Sequence, residues 1–344
     1  MIPKRLLCSL GWLAAGLWLV SACLPAQAPS QATGEAQSLV PPGEGREEED
    51  HEHASPTVAL EAVALGSGEK LQVMATTNIV ADIVFQVGAG YIDLTPLLPP
   101  GADPHTYTLT PQDRVAAASA HVIFANGANL EAEILPRLTQ DIQAPIVYVS
   151  QGIQLRQLEA GEANQHEEEG TDPHTWTTPP NAIVFLHNIE AALSALDPDN
   201  TENYQANMHR YEAELLALDE WVKEQIGTVP VESRKLVTDH ETFGYYADRY
   251  GLQQIGAVIP GFSTAAEPSA QKLAALQDAI RQYQVRAVFV GTTVTPSLVN
   301  QIAEDTGTKL VTLYTGSLGP PGSGVETYID YVRYNTAAIV EGLR

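Results

Sequence analysis

The chain has 344 residues, 44% of them hydrophobic, which is enough material for two domains with their own cores. Eighteen Lys and Arg against 42 Asp and Glu give a net charge of −24 at pH 7. This charge argues against binding to nucleic acid, because nucleic-acid-binding proteins need a basic surface.

The first residues predict export from the cytoplasm. Two basic residues precede an apolar run at 6–20, and Ser-Ala-Cys follows, which is typical of a lipoprotein signal peptide at 1–22. Cys23 would then be the lipidated N-terminus, facing outside the cytoplasm in the cell envelope. An ordinary signal peptide and an uncleaved membrane anchor are the alternatives; the run is shorter than the ~20 residues that span a bilayer. Because Cys8 would leave with the signal peptide, no thiolate would remain to bind a metal.

Residues 23–69 are rich in Pro, Ala, Gln, Gly and Glu and predict a disordered acidic tether. From residue 70 onward, short apolar runs alternate with segments of helical spacing. The first half is predicted to contain strands at 70–76, 92–98, 121–127 and 144–150 and helices at 78–88, 111–120 and 180–196. The polar, acidic segment 156–171 is predicted to be a mobile loop.

A helix of roughly thirty residues is predicted at 198–229, and a second alternating series follows it. That series has strands at 235–238, 252–258, 285–291 and 309–315 and helices at 242–251, 267–284, 295–307 and 325–343. Alternation of this kind predicts an α/β fold with parallel sheets flanked by helices. We expect one lobe at 70–197 and another at 230–344, joined by the long helix.

One motif occurs twice, as GADPHTYTLTPQD at 101–113 and GTDPHTWTTPPNA at 170–182. His105 and His174 therefore lie in similar turns, each after an Asp-Pro pair that restricts the backbone. His240, in VTDHETFGYY, lies between a predicted strand and the next helix. Ligand sites in such folds lie at the carboxyl ends of the strands.

Imidazole suits zinc, copper, nickel and iron, and three histidines can hold Zn²⁺ with one further ligand. The alternative is that these are unrelated turn histidines and that Asp-Pro is turn chemistry. Nearby carboxylates are candidates to accept hydrogen bonds from the ring N–H groups and to fix their tautomers. They are Asp103, Asp172 and Asp239.

These motifs, with DHETFGYYADRYGL and TYIDYVRYNTAAIVEGL, resemble the metal-binding cluster of bacterial ABC-transporter solute-binding proteins, the zinc- and manganese-specific group. The resemblance covers about 70–344. It implies two α/β lobes bridged by a rigid long helix, with the metal between the lobes. It also implies that His105, His174 and His240 are the metal ligands.

The departures from the family pattern concern which metal is bound. Manganese-preferring members have Glu or Asp at the position of His240, and many members have an acid at the positions of Gly316 and Gly291. Three nitrogens without a carboxylate favour Zn²⁺ over Mn²⁺, which prefers oxygen donors. The fourth ligand is left open between a water, a group of the acidic loop, here His166 or one of Glu167–Glu169, and an unidentified acid.

The sequence therefore predicts a monomeric solute-binding lipoprotein that captures Zn²⁺ and delivers it to an ABC permease. A manganese- or iron-binding protein of the same family is the alternative. A zinc hydrolase is less favoured, because Glu241 is the one evident base, and an adhesin would leave the histidines unexplained. If histidines are the ligands, metal affinity should fall as the pH drops through ~6.5.

Overall fold

The computed structural model describes residues 60–140, 142–157, 170–294 and 297–344. The predicted signal peptide, Cys23, the tether up to residue 59 and the loop residues 158–169 lie outside the described residues. The predictions for lipidation and for loop ligands therefore stay predictions.

The first lobe contains a parallel four-stranded sheet in the order β2-β1-β3-β4. Its core is formed by buried aliphatic side chains on β1 and on the helices packed against it. In chain order the elements are β1 (Leu71–Ala75), α1 (Asn78–Gly88), β2 (Ile92–Pro96), α2 (Pro111–Ala118), β3 (Val122–Ala125), α3 (Leu135–Leu138), β4 (Ile146–Tyr148) and α4 (Pro179–Leu196).

The second lobe repeats this strand arrangement, with a parallel sheet in the order β6-β5-β7-β8. A long helix, α5 (Thr201–Gly227), precedes it. The remaining elements are β5 (Lys235–Thr238), α6 (Gly244–Tyr250), β6 (Gln253–Ala257), α7 (Ala270–Tyr283), β7 (Ala287–Gly291), α8 (Ser297–Thr306), β8 (Lys309–Leu313) and α9 (Tyr328–Leu343). The predicted α/β fold with two parallel sheets and one long connecting helix is confirmed.

Helix starts follow local capping chemistry. The side chain of Thr77 accepts a hydrogen bond from the backbone N–H of Val80 and begins α1. Thr110 and Asp113 form a reciprocal capping box at the start of α2. Such signals lie within four residues of each other, so the sequence predicts these boundaries well.

The long helix α5 packs against both lobes. It contacts α1 and α4 of the first lobe and α6 and α9 of the second. Its buried side chains recur at helical spacing and are Tyr204, Met208, Tyr211, Leu215, Leu218, Asp219, Val222 and Ile226. A continuous helix is stiff, so α5 fixes the spacing of the two lobes along its length.

The structure corrects the predicted end of the tether. Residues 60–69 are not free, because Leu60, Val63 and Leu65 pack against the main core. The backbone N–H of Val63 also donates to the carbonyl of Leu196 at 2.8 Å. The apolar residues of this segment are few and lie among polar ones, so the sequence did not indicate that they are packed. The hydrogen-bond partner of Val63 lies more than 130 residues away in the sequence.

The short helix α3 was not predicted, because four residues carry too little periodicity to be recognised. Among the described residues, no helix combines the length and the apolar character that crossing a membrane requires.

Asp219 joins α5 to α6 of the second lobe, so its substitution tests how much this contact stabilises the fold. Its buried carboxylate accepts hydrogen bonds from Arg249 at 2.8 and 2.5 Å and from the hydroxyl of Tyr250 at 2.7 Å. Burial alone would raise the pKa of Asp219, but hydrogen bonds from Arg249, Lys223 and Tyr250 outweigh it and lower the pKa to about 2. The carboxylate therefore stabilises the fold above its unfolded pKa of 3.8, and this stabilisation is lost as the pH falls toward 2.

We predict that Asp219→Asn lowers the free energy of unfolding by about 2 kcal/mol at pH 7, measured by urea titration. The difference from wild type should shrink between pH 4 and pH 2. The neighbouring exposed residue provides the control, since Glu220→Gln removes a charge from the same helix without touching α6. Equal effects of the two substitutions would contradict this role of Asp219.

Candidate metal site

Three loops at the carboxyl ends of strands bring the predicted histidines together. His105 lies in the connection between β2 and α2, His174 in the segment between β4 and α4, and His240 directly after β5. Nε2 of His174 lies 3.2 Å from Nε2 of His105 and 3.2 Å from Nε2 of His240. Two of the converging histidines thus come from the first lobe and one from the second.

The spacing of these nitrogens fits one metal ion. Zn–N bonds of 2.0–2.1 Å at tetrahedral angles would place two ligand nitrogens about 3.3 Å apart. The ligand atoms of the three histidines all lie within 4.8 Å of one another. Across the described ranges, no other group of three or more His, Cys, Asp or Glu residues converges in this way.

Two of the predicted carboxylates orient their histidines. Oδ1 of Asp172 lies 2.9 Å from Nδ1 of His174 and also accepts the backbone N–H of His174 at 3.0 Å. Oδ1 of Asp239 lies 2.9 Å from Nδ1 of His240. A carboxylate beside Nδ1 favours the tautomer that carries its proton there, so both Nε2 atoms are left free to bind a metal.

The second oxygen of Asp239 fixes the carboxylate in the sheet. It accepts the backbone N–H of Gly291, at the end of β7, at 2.5 Å. Because β7 is adjacent to β5, this contact ties the His240 loop to the neighbouring strand.

The prediction for Asp103 was wrong in its detail. Its Oδ1 accepts the backbone N–H of His105 at 3.0 Å, and its Oδ2 accepts the hydroxyl of Thr264 at 2.5 Å. Among the residues that the structure describes, no hydrogen bond joins the Asp103 carboxylate to the His105 ring. Asp103 therefore shapes the turn and links it to a loop of the second lobe, a partner 161 residues away that local sequence could not indicate.

Burial keeps two of the rings uncharged. His174 is fully buried and His105 largely so. Burial, followed by the proximity of the other histidines, holds the pKa values of His105 and His174 well below the ordinary 6.5. These rings are neutral at pH 7, as metal ligation requires.

Asp172 is subject to opposing effects. Burial raises its pKa to about 6, while hydrogen bonds from His174 and from Arg156 pull the pKa downward. It is therefore still largely ionised at pH 7, consistent with its 2.9 Å ion pair to Nη1 of Arg156.

Aromatic side chains line the site. The His174 ring meets Trp176 edge-on, with ring centroids 5.2 Å apart, and Phe262 of the second lobe at 6.3 Å. Nε1 of Trp176 donates to the carbonyl of Thr315, which follows β8. The lobes therefore close over the histidines with buried apolar rings, which lowers the local dielectric and strengthens charge interactions inside.

Sequence reasoning missed two polar neighbours. The hydroxyl of Thr242 lies 2.7 Å from Nε2 of His240, so an oxygen already borders the ligand atoms. The sequence indicated Thr242 only by placing it two residues after His240. It gave no indication of Arg156, because the partners of Arg156, Asp172 and Asp248, lie 16 and 92 residues away in the chain.

The glycines at the expected acid positions are tightly packed. A Cβ at Gly316 would lie 2.8 Å from Cδ of Pro104, and a Cβ at Gly291 would lie 2.2 Å from the Thr315 hydroxyl oxygen. A carboxylate at either position would require these neighbours to shift. The protein therefore has no acid at these two positions to complete the site.

The different contacts of Asp239 and Asp103 predict different effects on metal binding. Asp239→Asn should weaken metal binding about 10- to 100-fold, because an amide has one acceptor oxygen and cannot accept both from the His240 ring and from the backbone N–H of Gly291. Asp103→Asn should have a clearly smaller effect, since it leaves the His105 ring untouched. Competition with a chromophoric chelator measures both, and equal losses would argue against the assignment.

The lowered pKa values predict the pH dependence. Affinity should be level from pH 8 to about 6.5 and should fall only below it, because protons begin to compete for His105 and His174 there. Chelator competition between pH 8 and 4.5, with circular dichroism as a check on folding, measures this. A fall in affinity that already begins well above pH 6.5 would contradict the lowered pKa values of these two ligands.

Curated relatives are similar to this chain over most of its length. The manganese-binding lipoprotein MntA of Halalkalibacterium halodurans is 32% identical over 278 residues, covering 80% of this chain and 89% of that protein. The manganese ABC transporter substrate-binding lipoprotein PsaA of Streptococcus pneumoniae is 32% identical over 285 residues, covering 80% and 90%.

Solved structures share the fold. The periplasmic zinc-binding protein TroA of Treponema pallidum superposes with a TM-score of 0.72 at 28% identity, covering 80% of this chain and 99% of TroA. A manganese-bound periplasmic metal-binding protein of Candidatus Liberibacter asiaticus gives 0.71 at 25% identity, covering 80% and 100%.

The family profile described as zinc-uptake complex component A, periplasmic, matches residues 73–342. This match spans both lobes and all three histidines, and it confirms the resemblance to metal-binding solute-binding proteins of ABC transporters. The chain belongs to the zinc-uptake complex component A family.

Proposed function

We propose that this protein captures Zn²⁺ between its two lobes and delivers it to an ABC permease for import. The observation that carries the proposal is the convergence of three imidazole rings from both lobes. Nε2 of His174 lies 3.2 Å from Nε2 of His105 and 3.2 Å from Nε2 of His240. His105, His174 and His240 are the proposed ligands.

The donor set supports zinc. Imidazole nitrogen suits Zn²⁺, whereas Mn²⁺ prefers carboxylate, carbonyl and water oxygens. No carboxylate among the described residues belongs to the converging group. The fourth position is then taken by a water, by the Thr242 hydroxyl or by a group in the segment 158–169, where His166 and Glu167–Glu169 are candidates.

Manganese is the second candidate, favoured by one specific observation. The relatives MntA and PsaA, each 32% identical, are named for manganese, whereas the structural neighbour TroA is named for zinc. Names within the family thus divide between the two metals. The donor atoms of this chain favour zinc, above all the imidazole nitrogen at residue 240.

Membership of an uptake-complex family places the protein among solute-binding transport components rather than enzymes. The hydrolase alternative is therefore set aside, and so is the adhesin. Lipid attachment at Cys23 is supported by the relatives that are named lipoproteins. A monomer tethered by one lipid could load metal outside the membrane and dock on its permease.

The donor at residue 240 provides the test of metal choice. We predict that His240→Asp weakens Zn²⁺ binding about tenfold or more and shifts the Zn²⁺/Mn²⁺ preference toward manganese, because an oxygen donor replaces a nitrogen. Calorimetric titration of metal-free protein with each ion measures both affinities. His209→Asp is the matched control, since His209 lies exposed on α5.

Wild-type protein that binds Mn²⁺ more tightly than Zn²⁺ would overturn the zinc proposal and leave the transport role intact. An unchanged preference in His240→Asp would argue that residue 240 is not a ligand.

A further inference from the structure

Arg156 joins the two lobes directly behind the metal site. Its Nη1 binds Oδ2 of Asp172 at 2.9 Å, and its Nε binds Oδ2 of Asp248 at 2.7 Å. Asp172 belongs to the first lobe, whereas Asp248 lies on α6 of the second. One guanidinium group therefore holds a carboxylate from each lobe.

The same Asp172 carboxylate reaches the metal ligand. Its Oδ2 binds Arg156, while its Oδ1 contacts Nδ1 of His174 at 2.9 Å. A continuous line of polar contacts thus runs from Asp248 through Arg156 and Asp172 to the His174 ring. A planar guanidinium group can bind two carboxylates at once, because its N–H donors point in fixed directions.

Two residues of α6, Gly244 and Tyr245, support the contact between Arg156 and Asp172. The hydroxyl of Tyr245 donates to the carbonyl of Asp172 at 2.8 Å and accepts the backbone N–H of Arg156 at 3.1 Å. A Cβ at Gly244 would lie 1.7 Å from Nη1 of Arg156 and 2.6 Å from Oδ2 of Asp172. The first residue of α6 must therefore be glycine for the guanidinium to reach Asp172.

Both ends of the contact are close in sequence to ligands. Asp172 precedes His174 by two residues, and α6 begins four residues after His240. Separation of the lobes at α6 would pull Asp248 and Tyr245 away from Arg156. It would also loosen the carboxylate that orients His174.

We propose that Arg156 is a positioning residue that couples lobe closure to the orientation of His174, so that the closed lobes hold the metal and lobe opening promotes its release. The proposal rests on the proposed function, because it assigns Arg156 a part in metal capture. Asp248, two-thirds exposed, supplies the contact that breaks when the lobes separate.

Two substitutions separate the parts of this contact. Arg156→Met removes both arms while keeping an unbranched side chain, and Asp248→Asn weakens only the arm between the lobes. Arg210→Met is the matched control, because it breaks an arginine–carboxylate pair to Glu214 on the exposed face of α5. Circular dichroism and thermal melting establish that each variant is folded.

The measurements are Zn²⁺ release into excess chelator by stopped flow and the His174 tautomer by ¹⁵N NMR of the metal-free protein. Arg156→Met should release zinc about tenfold faster or more and should lose the single Nδ1–H tautomer of His174. Asp248→Asn should release zinc about threefold faster and lose part of that tautomer preference, because Arg156 then holds Asp172 less firmly. Arg210→Met should match wild type in both.

Release from Arg156→Met at the wild-type rate would overturn the proposal, and so would release from Asp248→Asn at the rate of the control. If Arg156→Met does not fold, Asp248→Asn decides, since its side chain is exposed. If wild-type protein binds no stoichiometric Zn²⁺ or Mn²⁺, the proposed function fails instead, which is a distinct result from normal binding with unchanged release.

Discussion

The structure depends on bringing three imidazole rings to one point from two lobes. Nε2 of His174 lies 3.2 Å from Nε2 of each of the other two rings, and burial of His174 and His240 removes the water that would otherwise solvate these nitrogens. Two of the rings are held from outside, since carboxylates face Nδ1 of His174 and of His240. The His174 ring also packs against Trp176 and Phe262. Ligand atoms held in this way need little reordering when a cation arrives between them.

The fold supplies the rigidity that this convergence needs. Two sheets with the same strand order turn the carboxyl ends of their strands toward the site, and α5 packs against both lobes and sets their separation. Contacts that cross between the lobes lie beside the histidines and include those of Asp103 with Thr264 and of Arg156 with Asp248. Other contacts between the lobes are buried, such as the hydrogen bond from Trp176 to the carbonyl of Thr315.

Much of this was predictable from sequence because its causes are local. Helix α1 has the predicted bounds, since Thr77 and the glycine at its end are neighbours of the periodic residues. Asp172 and Asp239 lie 2.9 Å from Nδ1 of His174 and of His240, since they precede these histidines by two positions and by one. Asp103 was assigned the wrong contact, and Arg156 and the packing of residues 60–69 were missed. In each of those cases the partner lies far away in the chain, and only the tertiary structure decides the contact.

The central claim is that these histidines form one zinc site, and native metal content tests it most directly. Protein comprising residues 24–344, purified without chelator, would be compared by mass spectrometry with a variant carrying alanine at 105, 174 and 240. The account predicts about one zinc per wild-type chain and none in the variant. Stoichiometric manganese or iron would contradict the choice of metal. No metal in either protein, even after zinc is added back, would contradict the site itself.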